Sequence, residues 1–366
     1  MEIIEYSEQY FEKLIAFLRK NWSPNHSLYD KQLFDWQYKG VYENNALGYL
    51  LVEKGDVKGF VGGVPYPFLI DEKEVSGAGL AFWVIDPLTR SSGTGKLLRK
   101  ALEEKVELIY NIGLNLVTAK SYIKAGYAYY DEFHRYVVPL NVEGYCRLLV
   151  NECSFEKINE WVDHLPKGKE IIPCENIDVD KVAKLYEKNV KPAFRLLPYK
   201  DSRFWKWRYV DSKGFPYMFF EHADNVIIAR VESVHDKTDL QKHGLKCFRI
   251  IEILPSTGNV WNGSSDAGLT ETILGILAWA KLNDCVLADF QISNSRLEHV
   301  ITSTGFRRQD NTEETSVIRL FAPLRNVNPL NFAYRINAGG DTVSIDREDT
   351  YLVKSDSDMD RPNWLG

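Results

Sequence analysis

Apolar residues recur along this chain in two rhythms, and each predicts a different element. Glu2-Ile3-Ile4 reads as a short strand. It leads to Phe11, Leu14, Ile15, Phe17 and Leu18, whose spacing gathers them on one helical face. Residues 47–53 and 59–70 are apolar runs joined by Lys54-Gly55-Asp56, which predicts a hairpin. A strand over 75–85 ends at Asp86-Pro87. A helix over 95–107 follows, with Leu97, Leu98, Ala101, Leu102 and Val106 on one side. Residues 141–169 read as a connecting segment with a helix over 155–164.

The same plan then returns. Glu170-Ile171-Ile172 and a helix through Val179, Val182, Ala183 and Tyr186 repeat the opening of the chain. Leu33-Phe34-Asp35-Trp36-Gln37-Tyr38 has a counterpart in Phe204-Trp205-Lys206-Trp207-Arg208-Tyr209, which predicts repeated core packing around the tryptophans. The strand before Pro87 matches the one before Pro255, and a helix over 270–282 places Ile273, Ile276, Leu277 and Ala280 on one face. Asn115, Tyr122, Gly126 and Tyr127 share their spacing with Asn294, Ile301, Gly305 and Phe306. We read this as a tandem duplication of one α/β unit. The expected division is an N-terminal domain over 1–140, the connecting segment 141–169 and a C-terminal domain over 170–322. The Asn- and Asp-rich residues 323–366, with aromatic residues at Phe332, Tyr334, Tyr351 and Trp364, form an ordered tail draped over the body.

Composition narrows the class. With 366 residues and 45% hydrophobic content, the chain can build two proper cores. Its formal net charge of −6 lacks the basic excess of a nucleic-acid binder. Five scattered cysteines without a Cys-x-x-Cys pair argue for free thiols in a reducing cytoplasm, and against a zinc frame. No metal is expected. The longest apolar run, near 273–282, is too short to span a bilayer, and the N-terminus has no signal-peptide pattern.

The candidate chemistry lies at 90–95. Arg90-Ser91-Ser92-Gly93-Thr94-Gly95 follows a strand and opens a helix. Its glycines let the backbone curl so that amides converge on one anion, and the helix adds its positive end. It is neither a P-loop nor a dinucleotide fingerprint, because Gly-Lys-Ser/Thr and Gly-x-Gly-x-x-Gly are both missing. Together with Asn115, Tyr122, Gly126 and Tyr127, the loop resembles the GCN5-related N-acetyltransferase (GNAT) superfamily. The resemblance covers about residues 1 to 140. It implies two tandem GNAT folds (α/β, α+β), each a mixed, mostly antiparallel sheet flanked by helices. The second copy is degenerate, since Ile301 replaces the tyrosine and 256–265 lacks the loop motif.

The resemblance also implies roles. The loop Arg90, Ser91, Ser92, Gly93, Thr94 and Gly95 would hold the pyrophosphate of acetyl-CoA, with Asn115 nearby. Lys96, Arg99 and Lys100 would meet its ribose phosphate. Amides near Val84 would contact pantetheine and the oxyanion, and Tyr122 would protonate the departing thiolate. His26 and His134 are candidate bases, because imidazole titrates near neutrality. Asp30, Arg249 and Glu252 are candidate acceptor contacts, the last two from the second copy. The implied reaction is N-acetylation of a small-molecule acceptor, an amino sugar or sugar nucleotide of surface-polysaccharide synthesis, by a cytoplasmic enzyme. Two alternatives stand beside it: a peptidoglycan-bridge-type aminoacyl transferase and a non-catalytic coenzyme A-binding scaffold.

Overall fold

A computed structural model describes residues 1–43, 45–309, 313–327, 329–337 and 344–362; the side chains of Ser91 and Ser92 lie outside the description. The first half runs β1 (Glu2–Glu5), α1 (Phe11–Asn21), α2 (Lys31–Lys39), β2 (Gly48–Glu53), β3 (Asp56–Pro65), β4 (Gly77–Ile85), α3 (Thr94–Glu103), β5 (Leu108–Ile112), α4 (Leu116–Lys124), β6 (Ala128–Tyr130) and β7 (His134–Pro139). Connecting helices Val142–Arg147 and Phe155–Asp163 lead to the second half. It runs α5 (Val179–Asn189), α6 (Ser202–Trp205), β8 (Met218–His222), β9 (Asn225–Ser233), β10 (Lys246–Leu254), α7 (Ala267–Leu282), β11 (Cys285–Ile292), α8 (Glu298–Ser303), β12 (Arg307–Arg308) and β13 (Phe332–Ile336).

Among the described residues, β1-β2-β3-β4-β5-β13-β6 form a seven-stranded sheet and β8-β9-β10-β11-β7-β12 a six-stranded one. Both are mostly antiparallel, with one parallel pair each, β4 with β5 and β10 with β11. Apolar faces set the layers. Leu14, Leu18 and Phe34 pack with Phe60, Phe82 and Val84 on one face of the first sheet. Leu98, Leu102, Ala119 and Tyr122 pack with Val61, Ile85 and Ile109 on the other.

The two sheets trade strands. β7, from the first half, pairs with β11, and β13, from near the end of the chain, pairs with β5. The tail is therefore no outer drape: β13 is part of the first sheet, and Tyr351 to Ser357 are buried. The run expected as one strand over 59–70 divides after Pro65, and Phe68–Ile70 joins Leu196–Pro198 and Lys73–Val75 in a three-stranded ladder between the halves.

The repeat meets itself at the centre. The Trp36 and Trp207 rings lie 5.2 Å apart, and each indole N–H donates to the other residue's carbonyl at 3.1 Å. Reciprocal contact between equivalent positions is what a two-fold relation between two copies produces. Asp30 and Asp201 are equivalent as well. Each caps its helix, accepting from the Leu33 amide at 2.9 Å and the Phe204 amide at 3.0 Å.

Candidate active site

The site begins where β4 and β5 part. They pair only at Gly77 to Gly79 with Leu108 to Tyr110; beyond that, Leu80 to Ile85 has β3 on one side and no strand ladder on the other. The Asn111 side chain donates to the Leu80 carbonyl at 3.0 Å, at the fork. Asp86 donates its amide to the Lys58 carbonyl at 2.9 Å, so alternation turns the Val84 amide into the sheet as well. Trp83 and Ile85 turn their backbone to the gap instead. Arg90 Nε, 3.3 Å from the Ile85 carbonyl, marks that side. The amides offered to a ligand are thus those flanking Val84 rather than its own.

At the open end the chain winds through a 3-10 turn (Pro87–Ser92) and enters α3 through Gly93, whose φ of +77° is left-handed. A Cβ at Gly93 would meet nothing within 4 Å, so backbone conformation rather than crowding selects glycine there. At Gly95 a Cβ would stand 3.3 Å from Ile85 Cγ1, and its carbonyl accepts from Trp83 Nε1 at 3.0 Å. Thr94 Oγ1 ties the turn to the Thr89 carbonyl at 3.3 Å. Arg90, Lys96 and Lys100 are exposed around this end. Arg99 is not: it is buried against Glu103, with Nε 2.7 Å from Oε1, so it belongs to the core. Asn115 caps α4, accepting from the Val117 amide at 2.9 Å.

Tyr122, on α4, is 1% exposed. Its ring lies 6.0 Å from Trp83 in the gap-bearing stretch, 4.7 Å from Tyr127 and 4.9 Å from the Arg99 guanidinium. Burial raises its phenol above the ordinary range, so it keeps its proton at neutral pH. α3 and α4 cover this face of the gap, while α1 and α2 cover the other.

His26 lies on the α1–α2 side. Its ring is 5.0 Å from Phe82, Nδ1 accepts from the Leu28 amide at 3.2 Å, and Nε2 is 3.1 Å from Arg361 Nη2. Burial, and then the Arg361 charge, push its pKa down to about 3, so it is neutral. His134 stands elsewhere. It is fully buried on β7 in the second sheet, opposite Ile292 and 3.2 Å from Glu132. The strand exchange carried it away from the first gap.

The three candidate acceptor contacts have structural duties. Asp30 is the cap described above. Arg249 is 1% exposed and lies in a ladder of charges across the second sheet. It reaches Asp289 at 3.2 Å and also pairs with Glu232, while Arg135 meets Asp289 at 2.8 Å and Arg230 meets Glu232 at 2.9 Å. Glu252 is fully buried. It accepts from Lys200 at 2.8 Å, from Tyr209 at 2.9 Å and from Tyr351. Both were expected to contact the acceptor; the tail covers Glu252 and the Phe321 ring covers Arg249 instead.

Sequence reasoning missed this cover. β10 and β11 also part, after Ile250 and Phe290, but the second gap is filled. Ile292 pairs with His134 on one side and Val353 on the other, and Ser293 donates its amide to Leu352 at 2.9 Å. Lys200 then bridges Glu252 and Asp356 at 2.8 Å each. The alternating Asp and Ser of 355–360 was the one available signal, since carboxylates so placed need buried cations once the segment enters a core.

An open cleft of about 620 Å³, lined by Tyr42, Tyr49, Tyr66, Tyr199 and Arg203, lies at the other end of β4, beside Gly77. A nine-residue strand, ~30 Å long, separates it from the loop, so it takes no part in this site. Among the described residues no group of three metal-ligating side chains converges, and no helix is long and apolar enough to cross a membrane.

Comparison with solved structures agrees with this geometry. Saccharomyces cerevisiae N-myristoyltransferase with bound myristoyl-CoA is similar at a TM-score of 0.58 and 14% identity, over 96% of this chain and 87% of that one. A conserved Enterococcus faecalis protein of unknown function, described as a probable N-acyltransferase, is similar at a TM-score of 0.57 and 10% identity, over 92% and 72%. The chain has a tandem GNAT-type fold. No family model matches its sequence, and no curated protein does. The first fork is bordered by the loop, and the second is closed by the chain's own tail.

Proposed function

We propose that this chain is an acyl-CoA-dependent N-acyltransferase with one coenzyme site, in its first copy. The observation that carries the reading is the open fork of β4 and β5, with the glycine turn at its mouth and Tyr122 beside it. The turn and the N-terminus of α3 would seat the pyrophosphate, with Arg90, Ser91, Ser92, Gly93, Thr94, Gly95 and Lys96 around it. The backbone of Trp83 and Ile85 would hold pantetheine and the oxyanion.

In the reaction, the acceptor nitrogen attacks the thioester carbonyl and a C–N bond forms. The tetrahedral centre then collapses with loss of the C–S bond. Tyr122 gives its proton to the leaving sulfur, and the amine proton passes to a base. His26 is the proposed base, because it stands on the face of the gap opposite α3 and α4. Its ring is buried, with Nδ1 accepting from the Leu28 amide and Nε2 against Arg361, so acceptor binding must both relieve that burial and draw the guanidinium aside before the imidazole can take a proton. The donor is proposed to be acetyl-CoA and the acceptor the amine of a small, nucleotide-linked amino sugar. The likeness to a myristoyl-CoA-bound enzyme supports a second donor reading, a longer acyl chain.

The test is thiol release with acetyl-CoA and myristoyl-CoA against nucleotide-linked amino sugars and short peptides with free amino termini, alongside calorimetry of coenzyme A. Micromolar coenzyme binding with amine-dependent thiol release supports the proposal. Absence of coenzyme binding to the full chain sinks it.

A further inference from the structure

Exposed large apolar side chains gather at one end of this molecule. Among the described residues twelve are exposed, and Trp22, Leu88, Leu97, Leu116, Val117 and Ile123 make up half of them. Leu88 is 91% exposed and Val117 is 81% exposed. Topology brings five of them to one edge of the sheet, and Ile123 extends the patch along the outer face of α4. β4 and β5 run parallel, so the turn and helix that follow each begin at the same edge of the sheet. Leu88 and Leu97 belong to the first of these junctions, Leu116 and Val117 to the second. Trp22 reaches the same edge from the end of α1, its ring 6.0 Å from Phe82 near the end of β4.

Charge separates the same way. The chain carries 51 acidic residues in 366, yet residues 87–102 and 113–130 contain no Asp or Glu. They supply exposed Arg90, Lys96, Lys100, Lys120 and Lys124. On α4 the outward positions Leu116, Val117, Lys120, Ile123 and Lys124 alternate apolar and basic groups, while Ala119 and Tyr122 face the core. A chain of net charge −6 has little reason to segregate basic and apolar groups at one end for solubility alone. Aliphatic and Trp side chains rimmed by lysine are the composition that partitions into a bilayer interface, with cations drawn to anionic headgroups.

We infer that this end is a docking surface for an anionic lipid membrane, which the protein touches peripherally through Trp22, Leu88, Leu97 and the outer face of α4. No residue of the surface needs to reach the bilayer core. The inference does not depend on the proposed reaction, although it would set the mouth of the gap at the lipid surface.

The test is flotation of the full chain with vesicles of phosphatidylcholine alone or mixed equally with phosphatidylglycerol. Binding is expected to the mixed vesicles only, and to weaken as salt is raised. Val117→Asp is expected to abolish it, and Lys120→Glu with Lys124→Glu to weaken it at least tenfold. Circular dichroism and the thermal midpoint of each variant check that it is folded, and these exposed positions should leave both unchanged. The inference is overturned by no binding to either vesicle, by binding indifferent to the substitutions, or by loss of binding when coenzyme A is added. The last would mean that the patch is the coenzyme's own seat. A dimer in sedimentation velocity that Val117→Asp dissolves would also overturn it, by assigning the patch to a second copy of the chain.

Discussion

Tyr122 is packed as a core residue and proposed as a catalytic one, and the two roles predict different losses. Its ring fills space between Trp83, Tyr127 and Arg99, and phenylalanine would fill the same space. If its hydroxyl protonates the thiolate, Tyr122→Phe should lower kcat by about 10²–10⁴-fold with coenzyme affinity nearly unchanged. Single-turnover rates with acetyl-CoA, read against calorimetric affinity, check this; equal rates leave Tyr122 as packing alone. Lys354 offers a second residue-scale expectation. Burial, then repulsion from Arg249 and Arg230, lowers its pKa from an ordinary 10.5 to about 7. Below pH ~7 both folded and unfolded chains hold this proton, and the buried charge opposes folding in full. From about pH 7 to about pH 10 the unfolded chain holds more protons, so this group makes stability rise with pH. Urea unfolding across that range should show the rise in the wild type and a smaller one in Lys354→Met.

At the scale of elements, two junctions have the same geometry and different surroundings. Gly93 precedes α3 with a φ of +77°, and Gly263 lies between a 3-10 turn and α7 with a φ of +86°. Valine at either position should cost about 1–2 kcal/mol of stability, since a branched residue resists the left-handed region. Only Gly93→Val should also weaken coenzyme binding, because only the first fork is open. Calorimetry on both variants measures the contrast. Equal effects on binding would mean that the loop contributes through stability alone. The short elements of the tail explain why the second fork is closed. Val353 is bridged to Ile292, and Lys200, Glu252 and Asp356 sit together with no exposed side-chain surface.

For the whole molecule, strand exchange governs how the halves depend on each other. A piece ending at 140 keeps β7 but lacks β13, which stands between β5 and β6 in the first sheet. A piece beginning at 141 lacks β7, which stands between β11 and β12. Each would expose two unpaired strand edges inside its sheet, and such edges associate or aggregate. Neither piece should fold alone, while co-expression of the two should restore a complex with the full chain's circular dichroism. A cooperatively folded 1–140 would contradict this. The full chain should bind one coenzyme, and a calorimetric stoichiometry near two would show that the tail leaves the second fork.

Much of this was legible in the residues. Apolar periodicity located β1, α1, the β2–β3 hairpin, β4 and α3 in the first copy and α5, β10 and α7 in the second, while the strand expected at 170–172 does not form; the matched segments around Trp36 and Trp207 were one sign of the duplication. Arg90 to Gly95 marked the turn, because a left-handed step at a helix start demands glycine whatever lies around it. These are local features, and local sequence carries them. Tertiary structure alone decided the rest. Nothing in the sequence of 134–139 or 332–336 says which of two similar sheets it joins, since strand pairing depends on the edge that is available. Nor does the sequence show that 350–360 closes the second fork. That closure turned Glu252 from an expected ligand contact into a buried counter-ion, the charge ladder of the second sheet did the same for Arg249, and the exchange of β7 moved His134 to the other sheet. A charged residue's role follows from what the folded chain sets beside it, and here those neighbours lie far off in sequence, 52 and 99 positions away for Glu252 and 130 for Arg230.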